Sequence, residues 1–402
     1  MTSAFSNTFF GPANWQALAA FPHLLVRRSA DRDEWVIAVR EGSGQELDQP
    51  EEAGAWAGHV SFDHDDVLDK VGTRFEAGPM SGSRWWRPDT LLVLRSGRAE
   101  PIMGNADHLL LGLRSPQAGI GPIAAGAVWE RRTSKAHYLA TVRGLLEHIQ
   151  HGDIYEVNYC TERSTVLSHF DPFHAFERLI ARTDAPYAAL YRRGDLFALC
   201  LSPEHFLRVE NGGVMTRPMK GTRRRSTAAD ADAALGLGLA NDPKERSENI
   251  MAVDVARNDL SRIARAGSVR VDELCGVRSY PNVHQLVSTV RAGLRSDLRP
   301  WDAVRAAFPM ASMTGAPKRR ALQLIDEAEE MPRGLFSGSL GYQLPDGTLD
   351  LNVVIRTIMY DASTGKASLI TGSAITAMSD PEQEWEECEL KARSVLNALG
   401  HA

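Results

Sequence analysis

His205-Phe206-Leu207-Arg208-Val209-Glu210-Asn211-Gly212-Gly213-Val214-Met215-Thr216 reads as two strand-like runs joined by a tight turn. Asn211-Gly212 supplies the positive φ angles that a two-residue hairpin demands, so the two runs pair antiparallel. Working outward, residues 188–191 and 196–201 are further strand-like runs, with no helical stretch between them and the hairpin. Strands that follow one another directly do not build a regular βαβ winding. With helices interspersed elsewhere, they indicate an α+β fold.

The rest of the chain extends this pattern. Residues 35–39, 54–62 and 90–94 read as strands, whereas 115–126, rich in Gly and Pro, reads as a linker. Ser134 is a helix cap ahead of Tyr138, Val142, Leu145, Leu146 and Ile149 at helical spacing, and Gly152 closes that helix. Residues 154–166 read as a strand and 172–182 as a helix. Helices are also expected over 243–257, from 317 to about 330, and over 381–399. Strands fill 339–343, 350–360 and 367–371. Two parts follow: a short N-terminal subdomain, 1–125, woven onto a core of 126–402.

Composition narrows the function classes. The 402 residues are 43% hydrophobic and 24% charged, ordinary for a folded chain with a sizeable core. A net charge of −6 leaves no basic footprint for nucleic acid. Cys160, Cys200, Cys275 and Cys388 lack zinc spacing and read as reduced thiols. The N-terminus carries no basic and apolar leader, and no apolar run approaches a membrane span, so a cytoplasmic protein with no membrane partner is expected.

Chemistry concentrates in a few stretches. Arg217-Pro218-Met219-Lys220-Gly221-Thr222-Arg223 presents one amine from a short loop between Pro218 and Gly221. Glu245/Glu248 and Glu384/Glu387 are i, i+3 pairs, which share a helix face. Paired carboxylates hold a hard divalent cation, although acidic first turns also suit the helix dipole alone. Phe308 to Lys318 places Ser312 and Thr314 ahead of Pro317 at a helix start, either an anion or hydroxyl site or a plain cap. His284 lies in a strand-like run, where a hydrogen-bonded core histidine is the commoner case. Arg356, among Val353, Val354 and Ile355 and near Tyr342, suggests a carboxylate clamp or an ion pair with Asp350.

Taken in order, these stretches resemble the chorismate-utilising enzymes, which include anthranilate, aminodeoxychorismate, isochorismate and salicylate synthases. The resemblance rests on Gly152 to Asn158, Ser202-Pro203-Glu204-His205, Arg217 to Arg223, and Glu248 to Leu260. It continues through Val283 to Ser288, Ser312 to Lys318, Gly338 to Tyr342, Val354-Ile355-Arg356 and Glu384 to Arg393. It covers roughly the last two thirds of the chain and implies large antiparallel sheets packed with helices in an α/β sandwich. Lys220, where anthranilate synthases carry alanine, implies the component I activity of aminodeoxychorismate synthase. That activity aminates chorismate at C4 for 4-aminobenzoate and folate synthesis. Glu156, where water-adding members carry a lysine base, disfavours isochorismate and salicylate formation. Anthranilate synthesis and a non-catalytic chorismate-binding role are the alternatives.

The same resemblance implies roles. Mg²⁺ would be held by Glu248 and Glu387, with Glu245 and Glu384 supporting through water. Tyr342 and Arg356 would bind the enolpyruvyl carboxylate, helped by Gly372, Ala374 and Lys391, with Thr222 also at the substrate. Lys220 would attack C2, Glu204 would act as acid and base, and His284 and Ser312 would flank the leaving hydroxyl. The lysine needs a lowered pKa, for which burial near Mg²⁺ and Arg223 is the expected cause. Ala374 replaces a customary glycine, and Leu24 to Ser29 replaces the Leu-Leu-Glu-Ser stretch of tryptophan-regulated relatives. No glutaminase nucleophile is visible, so ammonia would come from a separate glutamine amidotransferase subunit.

Overall fold

The computed structural model describes residues 16–51, 54–64, 72–95, 98–114, 126–280 and 283–400. The expected linker at 115–126 lies outside these except for Gly126. Two antiparallel sheets, one 11-stranded and one 10-stranded, form the centre. Their strands alternate between two cores, as the period of two requires. In Glu34–Arg40, Trp35, Ile37 and Val39 face an outer core, and Val36 and Ala38 face an inner one. Leu196–Ser202 repeats this: Phe197, Leu199 and Leu201 point outward, Ala198 and Cys200 inward.

The inner core is the seam between the sheets. There Leu25, Ala189 and Tyr191 of the first sheet meet Ala57, Trp86 and Leu340 of the second. Helices Pro172–Thr183 and Pro381–Leu399 cover the outer face of the first sheet through Phe173, Phe176, Leu179, Val395 and Leu399. Helices Pro243–Ser261 and Pro300–Ala307 cover the second through Val253, Leu260, Trp301 and Val304. The result is an α/β/β/α sandwich. Each fully buried Leu, Ile or Phe on these faces contributes about 1.5–3 kcal/mol.

The N-terminal strands do not stand apart. His23–Ser29, Glu34–Arg40, Thr90–Arg95 and Arg98–Met103 extend the first sheet; Glu46–Leu47, Trp56–Val60 and Ser83–Trp86 extend the second. No described helix is long and apolar enough to cross a membrane.

Two sequence expectations change. The single strand expected over 350–360 is two strands, Leu349–Val353 in the second sheet and Thr357–Asp361 in the first. The chain crosses between sheets at Val354 to Arg356, and Arg356 takes φ 52°, a left-handed conformation uncommon outside glycine. Hydrophobicity ran through the crossing, so pattern alone could not reveal it. Secondly, the lysine stretch is not a loop. Met219–Arg224 is an edge strand, followed by an unanticipated helix, Ala229–Ala240.

Candidate active site

The site forms where the starting edges of both sheets approach. Glu156 opens the strand Glu156–Val166, next to the edge of the first sheet, and Lys220 lies on the edge strand of the second. Their side chains form an ion pair, both almost wholly enclosed. Gly221, at φ 77°, interrupts the pairing register between Lys220 and Thr222 and leaves space that a Cβ would take from Glu245 and Leu239.

Strand crossings supply two further groups. The chain leaves the first sheet at Ser202 and enters the second at His205, with Glu204 between. Arg356 stands at the neighbouring crossing: its carbonyl accepts from Leu201 N–H at 3.2 Å, while Glu204 O accepts from Val353 N–H at 3.1 Å. Burial pushes the Glu204 carboxyl up to about 7, opposed by Ser312, Lys220 and the Met219 N–H. Ser312 sits in the short turn Ala311–Met313, beside Glu204 but without a hydrogen bond of good geometry. Buried Arg333 fixes this corner. It donates to Met313 O and Asn158 O, each at 2.7 Å, and pairs with Glu329.

Electrostatics around Lys220 differ from the sequence expectation. Burial alone depresses its amine, but Glu156 and then Glu248 outweigh burial and hold the pKa above its usual range. Arg223 does not lower it; that guanidinium donates to Asp242 at 2.7 Å and Glu245 at 3.2 Å. Glu248 is itself raised to about 7, chiefly by burial, against the pull of Lys220.

The four glutamates line two facing helices, each with a cation nearby. Glu245 pairs with Arg223, Glu384 with Lys244, and Glu387 with Lys391 at 2.6 Å; Lys244 also lies 3.9 Å from Glu248. Among the described residues no three His, Cys, Asp or Glu side chains are gathered as a ready metal shell. The donor set nevertheless fits a hard divalent cation. All four groups are carboxylates, and Glu248 Oε1 is buried without a hydrogen bond.

Arg356 makes no ion pair and no side-chain hydrogen bond among the described residues; burial lowers its pKa, countered by Glu387. A partly buried guanidinium without a paired carboxylate is a ready carboxylate receptor. The alternative ion pair with Asp350 is not formed, because Asp350 binds Arg27, His205 and Arg208.

Other expected site residues lie elsewhere. Tyr342 is fully buried in the inter-sheet core, with its hydroxyl donating to Glu34 at 3.2 Å and Arg27 over its ring. It shares no partner with Arg356. His284 bonds Ser279 at 2.8 Å and Asp232 at 3.0 Å, so it anchors the helix Ala229–Ala240 rather than flanking Ser312. Its neighbour Gln285 takes the opposite strand face, reaches Thr222 Oγ1 at 3.4 Å and leaves Oε1 buried and unbonded. A one-residue step on a strand reverses the face. Sequence reading therefore missed Gln285, for which only the pairing register with Thr222 is a signal. Gly372 lies against Cys160, whose Sγ would stand 2.4 Å from an added Cβ; Ala374 pairs with Asn158. Lys391 donates to Gly372 O at 2.7 Å.

This sandwich matches in fold the menaquinone-specific isochorismate synthase of Escherichia coli. The TM-score is 0.78 at 19% identity, covering 98% of this chain and 92% of that one. Residues 27–397 match the profile of the chorismate binding enzymes, and the chain belongs to that family. It is 38% identical over 315 residues to aminodeoxychorismate synthase component 1 of Klebsiella aerogenes, covering 77% of this chain and 69% of that relative. It is 41% identical over 269 residues to the chloroplastic aminodeoxychorismate synthase of Arabidopsis thaliana, covering 66% of this chain but 29% of that protein.

Proposed function

We propose that this chain is the chorismate-aminating component of an aminodeoxychorismate synthase. It would convert chorismate and ammonia to 4-amino-4-deoxychorismate. The observation that carries this reading is Lys220, held against Glu156 and next to Glu204 in an enclosed site. Arg356 would take the enolpyruvyl carboxylate. A divalent cation, Mg²⁺ by its preference for carboxylate oxygens, would neutralise the ring carboxylate. Glu248 and Glu387 would hold it, with Glu245 and Glu384 supporting through water.

The chain's own groups account for the proton movements. Lys220 passes a proton to Glu156 and attacks C2 as the neutral amine. The ring double bonds shift, and the C4 hydroxyl leaves as water with a proton from Glu204, a role suited to a carboxyl raised to about 7. Ammonia adds at C4, the double bonds shift back, and the C2–N bond breaks to release the Lys220 amine, which takes its proton back from Glu156. Glu204 recovers its proton from the new ammonium. Ammonia would be supplied by a glutamine amidotransferase subunit.

Product identification tests this reading. The protein with chorismate, Mg²⁺ and ammonium should give a product that becomes 4-aminobenzoate only when aminodeoxychorismate lyase is added, as seen by chromatography. Fluorescent anthranilate formed without the lyase would overturn it.

A further inference from the structure

Lys244 is the second residue of helix Pro243–Ser261, where the positive end of the helix dipole disfavours a cation. Its position therefore does not serve the helix. The side chain instead crosses to helix Pro381–Leu399, with Nζ 3.3 Å from Glu384 Oε1 and 3.9 Å from Glu248 Oε1. Glu384 and Glu248 are almost fully enclosed, while Lys244 is 36% exposed. Burial depresses its amine, yet Glu384, Glu248 and Glu387 together hold the pKa up.

The other cations near these carboxylates are also tied elsewhere. Arg223 bonds Asp242, and Lys391 bonds the Gly372 carbonyl. Among the described residues, the Lys244 ammonium pairs with Glu384 and Glu248. Lys220 also attracts Glu248, but of the two ammonium groups only that of Lys244 bridges Glu248 and Glu384 and is half-exposed.

We propose that Lys244 is a built-in counter-cation, seated among the glutamates until a divalent cation displaces it. This rests on the reading of the four glutamates as a divalent-cation site. The ammonium keeps the empty carboxylate cluster folded and weakens cation affinity by competing for Glu384 and Glu248. Ion entry swings the side chain outward, a movement open to a flexible four-carbon stem.

Calorimetric titration with Mn²⁺ alone, without chorismate, tests the proposal. Lys244→Met removes the charge and keeps most of the stem. It should bind Mn²⁺ about tenfold more tightly than the unsubstituted protein, a difference of about 1.4 kcal/mol. Its metal-free form should melt at a lower temperature, and Mn²⁺ should restore the difference. Lys244→Gln should follow it, and Lys244→Arg should resemble the unsubstituted protein. Mn²⁺ binding that both neutral variants leave unchanged or weaken overturns this proposal alone. Absence of Mn²⁺ binding to all four proteins overturns it together with the divalent-cation reading.

Discussion

Two clusters of buried charge lie within this sandwich, and they are finished to different degrees. In the seam between the sheets, Asp350 is fully enclosed and accepts from Arg27 at 2.6 Å, Arg208 at 2.7 Å and His205 at 3.1 Å. Arg27 also donates to Asn352 and Ser29, and Arg208 donates to Asp31. At the meeting of the sheet edges, among the described residues, Arg356 has no ion pair, and Glu248 Oε1, Gln285 Oε1 and Ser312 Oγ lack hydrogen bonds. Buried charge is tolerated when paired. Among the described residues, the Asp350 cluster leaves one atom without a hydrogen bond, His205 Nδ1, whereas several gather around Lys220, as a ligand surface would require. The first cluster ties the two sheets together; the second fits the proposed dianion and cation.

Substitutions should separate the two. The largest effect is expected at Lys220. Lys220→Ala should lower aminodeoxychorismate formation on the order of 10³-fold or more, since the nucleophile is removed. Full product formation by this variant, measured chromatographically, would sink the covalent route. Next, Asp350→Ala leaves Arg27 and Arg208 buried without their shared partner. It should cost about 3–5 kcal/mol of stability in denaturant titration, whatever it does to turnover. A cost near zero would mean that the seam is not held by this charge network.

Glu204 should report the difference through pH. Its folded carboxyl sits near 7 because burial opposes ionisation, above the ordinary 4.5. The folded state therefore binds more protons than the unfolded chain across pH 4.5–7, so stability falls as pH rises through that window. Glu204→Gln should make this slope shallower, leaving the part that Glu248 contributes, and stabilise the protein at pH 8, on the order of 3 kcal/mol, while losing activity. Parallel slopes for the two proteins in pH-dependent melting would refute the assignment. Arg356→Met should have the smallest effect on folding. It should raise KM for chorismate roughly 10- to 100-fold, the loss of charged hydrogen bonds, and leave the melting temperature equal or higher. A clear fall in melting temperature would place Arg356 with the structural cluster.

Elements with a local signal were legible in the sequence. The Asn211-Gly212 turn, the Ser134 cap and the last helix, Pro381–Leu399, fall where patterning places them. Helix Ala229–Ala240 was not legible, because Gly236 and Gly238 interrupt a run without amphipathic spacing. Lys220 and the glutamate pairs could be singled out from residue type and spacing. Tyr342 and His284 could not be placed, since Tyr342 bonds Glu34 on a strand distant in sequence and His284 bonds Asp232 on a helix with no local signal.

By itself the sequence determined the α+β class, the lysine and the paired carboxylates, because turns, caps and i, i+3 spacing are written within a few residues of one another. Tertiary structure alone decided that Glu156 meets Lys220 across two sheet edges, and that Glu204 and Arg356 stand at neighbouring crossings. It also decided that Lys244 sits among carboxylates of two helices and that Gln285, not His284, faces Thr222. Charge pairing and strand register depend on which segments fold together, and no local pattern records that.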